Sequence, residues 1–149
     1  MTLRWMVATF HLLALPLGLS SVWARGRGLG VARANADLAR VFVADNLWGL
    51  AAGLWIVTGL WRAFGGIEKG TAYYLNDRVF YVKMGLLFLI LLLEIAPMTT
   101  LISWRVAIRR GKQIDLKSAA IFARISQVQA VLVVLMVFAA TAMARGFFY

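Results

Sequence analysis

The residues of this chain that could do chemistry are few and stand singly inside apolar runs. His11 is its one histidine, and an imidazole can ligate haem iron or carry a proton near neutral pH. Lys83 interrupts the run after Phe80, and two carboxylates, Asp45 and Glu94, interrupt others. Asn46, Gln127 and Gln129 add amides, and Thr58 and Thr141 add hydroxyls. Placed by depth along their runs at about 1.5 Å per residue, they fall into two layers. His11, Thr58, Lys83 and Thr141 form one; Asp45, Asn46, Glu94, Gln127 and Gln129 form the other. An ionisable group in hydrocarbon is costly and usually faces the interior of a bundle, where it marks function.

Each candidate also has a purely structural reading. Lys83 lies only about 6 Å below its boundary at that rise, close enough to snorkel to headgroups. Asp45 can pair with Arg40 or Arg124 near the opposite boundary. Glu94 is deeper, and reads either as a protonated acid or as a partner of Asn46 or Gln127. His11 can simply donate a hydrogen bond between helices. Trp48 and Trp55, seven residues apart on one stripe, read as packing residues before a cofactor platform. Two carboxylates in one layer also allow a proton path or cation site. With no cysteine and a single histidine, thiolate sites, iron–sulfur clusters and two-histidine metal sites are excluded within one chain. The order of residues offers no serine–histidine–acid set, no phosphate loop and no HExxH, so no metal site and no catalytic residue is assigned.

These residues must be positioned by membrane helices. Of 149 residues 62% are hydrophobic and 15% charged, which leaves a domain this small no way to hide its apolar surface from water. Four runs of sufficient length, about Trp5–Trp23, Val41–Trp61, Val79–Trp104 and Ile125–Phe148, predict an all-α integral membrane four-helix bundle forming one domain over 1–149. Trp5, Trp23, Trp61 and Trp104 fall at the ends, as an interfacial belt requires. The first run exceeds a signal-peptide core, so it is expected to be retained although Val22-Trp23-Ala24 would suit cleavage. The net charge of +10 does not point to nucleic acid, because the positive residues flank the apolar runs. Arg25, Arg27, Arg33 and Arg40 follow the first run, and Arg105, Arg109, Arg110, Lys112, Lys117 and Arg124 follow the third. By the positive-inside rule that side is cytoplasmic and both termini are outside, with lipids as the first partners.

Local signals set boundaries and packing. Asn35 or Asp37 can cap the second helix, Asn76 or Asp77 the third and Asp115 the fourth, while Gly111 can end the third. Gly49 and Gly53 form a GxxxG pair on one face with Asp45, and Ala14, Gly18 and Ser21 form a small-residue stripe on the first helix. Both are expected to pack within the chain, with a dimer through Gly49 and Gly53 as the alternative. Lys83 and Glu94, eleven residues apart, share a face of the third helix. On the fourth, Gln127, Val131, Val134, Phe138 and Thr141 share the face expected to turn inward. Gly65-Gly66, Gly70 and Tyr73-Tyr74 mark an outer loop expected to fold over the bundle mouth.

The stretches HLLALPLGLSSVWARGRGL, VFVADNLWGLAAGLWIVTGLWRAFGGIEKGTAYYL, FYVKMGLLFLILLLEIAPM and QAVLVVLMVFAATAMARG resemble the bacterial predicted membrane proteins of domain of unknown function 2214, over nearly the whole chain. That resemblance implies four spans and no assigned activity. A more distant likeness is to HemJ-type protoporphyrinogen oxidases and copper-resistance D-type proteins. His11 and Lys83 match a first-span histidine and a third-span lysine of the HemJ-type bundles, which bind haem or porphyrin. The lysine preceding that histidine and the family's further histidines are absent, so the likeness implies porphyrin binding rather than oxidase activity. Three functions follow as expectations: haem or porphyrin binding in a redox role through His11 and Lys83; a non-enzymatic accessory subunit of a larger respiratory or photosynthetic complex, or a homo-oligomer; and an ion or copper transport component using Asp45 and Glu94.

Overall fold

The computed structural model describes residues 2–66 and 71–146, except for the side chain of Tyr73. Helix α1 spans Thr2–Val31, α2 Leu38–Phe64, the short α3 Thr71–Asn76, α4 Arg78–Arg109 and α5 Ala119–Ala144. A 3-10 turn over Asn35–Asp37 joins α1 to α2. Among the described residues four helices, all but α3, are long and apolar enough to cross a membrane. The 32 residues of α4 reach about 48 Å, more than a bilayer core of about 30 Å. The close backbone approaches are α1 with α2, α1 with α5 and α4 with α5, whereas α2 and α4 stand further apart. That gap between α2 and α4 is bridged by side chains, and both candidate sites lie along it.

Helix ends follow local chemistry. The Asp77 carboxylate accepts from the Val79 N–H at 2.8 Å and caps α4. Gly111, at φ +72°, ends α4 in the left-handed conformation; its N–H reaches the Ile108 carbonyl while that of Lys112 reaches Ala107. Asp115 instead accepts from the Lys117 N–H in the loop, and α5 starts at Ala119, four residues past it. Asn35 and Asp37 do not cap α2 as expected. The Asn35 amide ties two loops together, donating to the Lys112 carbonyl and accepting from the Ile114 N–H. Asp37 reaches back to the N–H groups of Arg33, at 2.7 Å, and Ala34, at 3.0 Å.

Those two hydrogen bonds hold the Asp37 carboxyl below the ordinary carboxylate range, the Arg33 N–H being the larger cause. A lowered folded-state value means that the contribution is present above the unfolded value and lost as pH falls through the folded one. Acid titration should therefore loosen the α1–α2 turn in the native chain. Amide hydrogen exchange at Arg33 and Ala34 should accelerate below the ordinary carboxylate range, and Asp37→Asn should remove that pH dependence.

Packing corrects two expected helix faces. On α5 the residues Gln127, Val131, Val134, Phe138 and Thr141 are all exposed, and Phe122, Ser126, Gln129, Val133 and Met136 are buried. The helix is apolar all round, and lipid is as apolar as a core, so hydrophobicity does not say which face turns inward. On α2, Gly49 and Gly53 face outward, with nothing within 4 Å of an added Cβ. The inward face is Val41, Ala44, Trp48, Ala51 and Thr58. The α1 stripe of Ala14, Gly18 and Ser21 is buried as expected, and Gly18 admits the Trp48 ring and Ala51. Trp104 is also buried, edge-on to Phe122 with ring centroids 6.2 Å apart, so it packs in the core. Trp5, Trp23 and Trp61 are exposed. Of the loop expected outside, Gly66 ends α2 at φ +66° and Tyr74 packs against Ala63 and Phe80. Lys69, Gly70 and the expected last turn at Phe148 lie outside the described residues.

Candidate functional site

Arg25 closes one end of the α2–α4 gap. Counted in sequence among loop residues, it lies inside α1, six residues before the helix ends, and its side chain is 0% exposed. A guanidinium has five N–H donors, and all five are used. Nε donates to Ser126 Oγ at 3.1 Å. Nη1 donates to Asp45 Oδ1 at 2.8 Å and Glu94 Oε1 at 2.6 Å. Nη2 donates to Glu94 Oε2 and Gln129 Oε1, both at 2.8 Å. One α1 residue thus ties α2, α4 and α5 together.

The carboxylates are engaged in turn. Besides the forked bond from Arg25, Glu94 Oε2 accepts from Trp48 Nε1 at 2.9 Å and Gln129 Nε2 at 2.8 Å. Each of these partners of Glu94 is an N–H donor, so its carboxyl oxygens act as acceptors in the cluster. Asp45 pairs with Arg25 and, through Oδ2 at 2.6 Å, with Arg105, not with Arg40 or Arg124, which are exposed. Arg105 also donates to the Phe42 carbonyl and stacks on that ring at 4.9 Å. Two arginines and two carboxylates cancel in charge, as ions withdrawn from water must. The guanidinium of Arg25 occupies the position a bound cation would need between Asp45 and Glu94. The cluster is therefore a clasp. Asn46 and Gln127, assigned to the same layer, are exposed on the outer surface and do not join it.

The gap widens toward the other end into a cavity of about 440 Å³, walled by all four long helices and by Tyr74 of α3. That lies within the usual range for small-molecule sites, roughly 300–1,000 Å³. His11 and Lys83 both line it, together with Trp55, Arg62, Met84 and Met136. His11 Nδ1 lies 2.8 Å from Thr58 Oγ1, and that hydroxyl lies 2.5 Å from the Leu54 carbonyl. The hydroxyl has one hydrogen and the carbonyl can only accept, so Thr58 donates to Leu54 and accepts from His11. Nδ1 therefore carries a proton, and in the neutral ring the lone pair is on Nε2. Gly59 gives the imidazole room, since a Cβ there would sit 3.3 Å from His11 Cε1. Trp55 lies against the same ring, with centroids 6.1 Å apart. Thr141, placed in this layer from sequence, is exposed at the cavity edge and bonds carbonyls of its own helix.

A family model for predicted membrane proteins of domain of unknown function 2214 matches residues 3–147. The chain belongs to that family. No curated protein and no solved structure matches it. The match covers all four membrane-long helices of this family member, with both the clasp and the cavity inside it. Among the described residues no group of three or more histidine, cysteine, aspartate or glutamate side chains comes together to hold a metal ion.

Arg25 and Arg105 are the clasp residues the sequence reading missed. A signal for the first was present. Ala14, Gly18 and Ser21 recur at intervals of four and three, and the next step of four reaches Arg25, so the buried stripe continues straight into it. Arg105 carries no comparable signal, because at a helix end buried and exposed arginines look alike.

Proposed function

We propose that this protein binds a porphyrin-class ligand, haem or its precursor, in the outer cavity. The observation that carries the reading is the Thr58–His11 hydrogen bond. A metal-ligating histidine characteristically donates its other N–H to an oxygen, which fixes the ring and leaves the lone pair to the metal. His11 would hold the iron through Nε2. Lys83 and Arg62 would face the ligand's acid groups as cations, and Trp55, Met84 and Met136 would form apolar walls. The likeness to HemJ-type proteins at His11 and Lys83 points the same way. A bound haem would supply one-electron exchange. No residue is assigned a catalytic role. Titrating haemin into purified protein should give a saturable Soret band with one site per chain. Lys83→Ala should shift or weaken it. Absorbance that rises without saturation, as for haemin dissolved in detergent alone, would refute the reading.

The alternative, an accessory subunit of a larger membrane complex or a homo-oligomer, is favoured by one feature. Asn46 presents an amide on the outer face of α2, beside the open Gly49–Gly53 surface. A helix of another chain could pack there and satisfy it. Purification in a mild detergent with stoichiometric companions, and no Soret band with haemin, would favour this reading over the first.

For orientation, the end carrying Arg27, Arg40, Arg109 and Lys112 is placed in the cytoplasm of a bacterial inner membrane. Because the chain has no cysteine, Lys112→Cys and Thr71→Cys give clean single labels. An impermeant thiol reagent added to intact cells should modify Thr71→Cys and spare Lys112→Cys; the reverse pattern would invert the topology.

A further inference from the structure

We infer that the outer cavity is filled from the bilayer and not from water, so that its ligand is a membrane-dissolved amphiphile. The inference rests on the reading of that cavity as a ligand site and adds the route and the physical class of what enters. At the end nearest α3 the cavity is lined by a packed apolar cluster. Tyr74 of α3, Ala63 and Phe80 are each buried and pack together with Met143. The Tyr74 and Phe80 rings lie 5.6 Å apart, and Phe64 meets Phe80 edge-on at 6.4 Å. In this inference the cluster acts as a plug, and entry from the aqueous end requires it to come apart.

The sides are different. Leu12 of α1 and Leu60 of α2 both line the cavity and are 64% and 51% exposed, so the walls reach the lipid-facing surface through leucines. α2 and α4 flank the cavity without close backbone packing, and a small apolar void between Ile56 and Leu87 continues the gap toward Glu94. An apolar body can pass between such walls without stripping water from either surface. His11, Lys83 and Arg62 add polar groups to otherwise apolar walls, which suits an amphiphile better than a hydrocarbon.

The test needs no ligand. Met136, 3% exposed on the α5 wall, becomes a single reporter thiol as Met136→Cys in the cysteine-free chain. Reconstituted vesicles are treated with a lipid-soluble maleimide or a charged, impermeant one present on both faces. Each rate is scaled to a reference position, Phe138→Cys in lipid and Lys112→Cys in water. The lipid-soluble reagent should modify Met136→Cys at a rate approaching its reference. The charged reagent should be slower than its own by about tenfold or more, since it must wait for the plug to open. Leu60→Trp, crowding the lateral wall, should slow the first reagent, and Tyr74→Ala, loosening the plug, should speed the second. If Met136→Cys destabilises the bundle, Leu87→Cys on the opposite wall replaces it. Equal scaled rates, faster labelling from water, or no labelling by either reagent would overturn the inference. Haemin should protect the thiol; lipid-route labelling without that protection would sink the ligand reading alone.

Discussion

Arg25→Ala should destabilise the bundle by about 3–5 kcal/mol, the range for removing one partner of a buried ion pair. The substitution strips Glu94 of its forked bond and Asp45 of one of its two cations, and leaves Ser126 and Gln129 short of a donor. A buried carboxylate without its counter-charge is what makes the loss so large. Arg25→Lys should fall between, because an ammonium has three donors and lacks the planar fork that Glu94 accepts. Arg25→Met combined with Glu94→Met should recover much of the loss, since Asp45 keeps Arg105 and no charge is stranded. Thermal melts in detergent of the two single variants and the double variant measure this directly. A double variant no better than Arg25→Ala would mean that shape at the clasp, not charge, holds the helices.

The second large effect is expected where α1 meets α5. A Cβ on Gly26 would lie 3.1 Å from Ser126 Cβ and 3.2 Å from the Ala123 carbonyl, tighter than ordinary contact against atoms that cannot swing aside. Gly26→Leu should therefore force the helices apart beside the clasp and cost at least the roughly 1–3 kcal/mol typical of overpacking. Gly53→Leu should change the melt of the monomer by less than about 0.5 kcal/mol, as surface substitutions usually do. If Gly53→Leu proves as damaging as Gly26→Leu, a neighbour covers the outer face of α2, and the accessory-subunit or homo-oligomer reading gains.

The contrast between these two glycines shows what the sequence could and could not disclose. Length and hydropathy fix four membrane helices, because spanning hydrocarbon allows few alternatives. The shared face of Lys83 and Glu94 on α4 was legible from helical period, and both side chains are partly buried. Which face of α5 turned inward was not legible, since Val131 and Val133 are equally apolar and only one is buried. Small and polar residues do not settle it either, since Ser126, Gln129 and Ala130 are buried while Gln127 and Thr141 of the same helix are exposed. Depth along the helices brought His11 and Thr58 into one layer, and they are hydrogen-bonded. The same reckoning could not find the clasp, because it ended the first span at Trp23 and left Arg25 outside. Asp45 and Glu94 were rightly singled out as costly, but their partner was counted as loop.

The most direct test of the functional account is the optical spectrum of haemin-loaded protein compared with that of His11→Ala and Thr58→Val, each first shown to melt like the native chain. If His11 is the axial ligand oriented by Thr58, His11→Ala abolishes the protein-bound Soret band. Thr58→Val, which removes the acceptor for Nδ1 while keeping the side chain's shape, weakens haemin affinity by about 10–100-fold, as loss of an orienting partner does at metal sites. A His11→Ala spectrum that matches the native one in band position and affinity would contradict the assignment of this cavity.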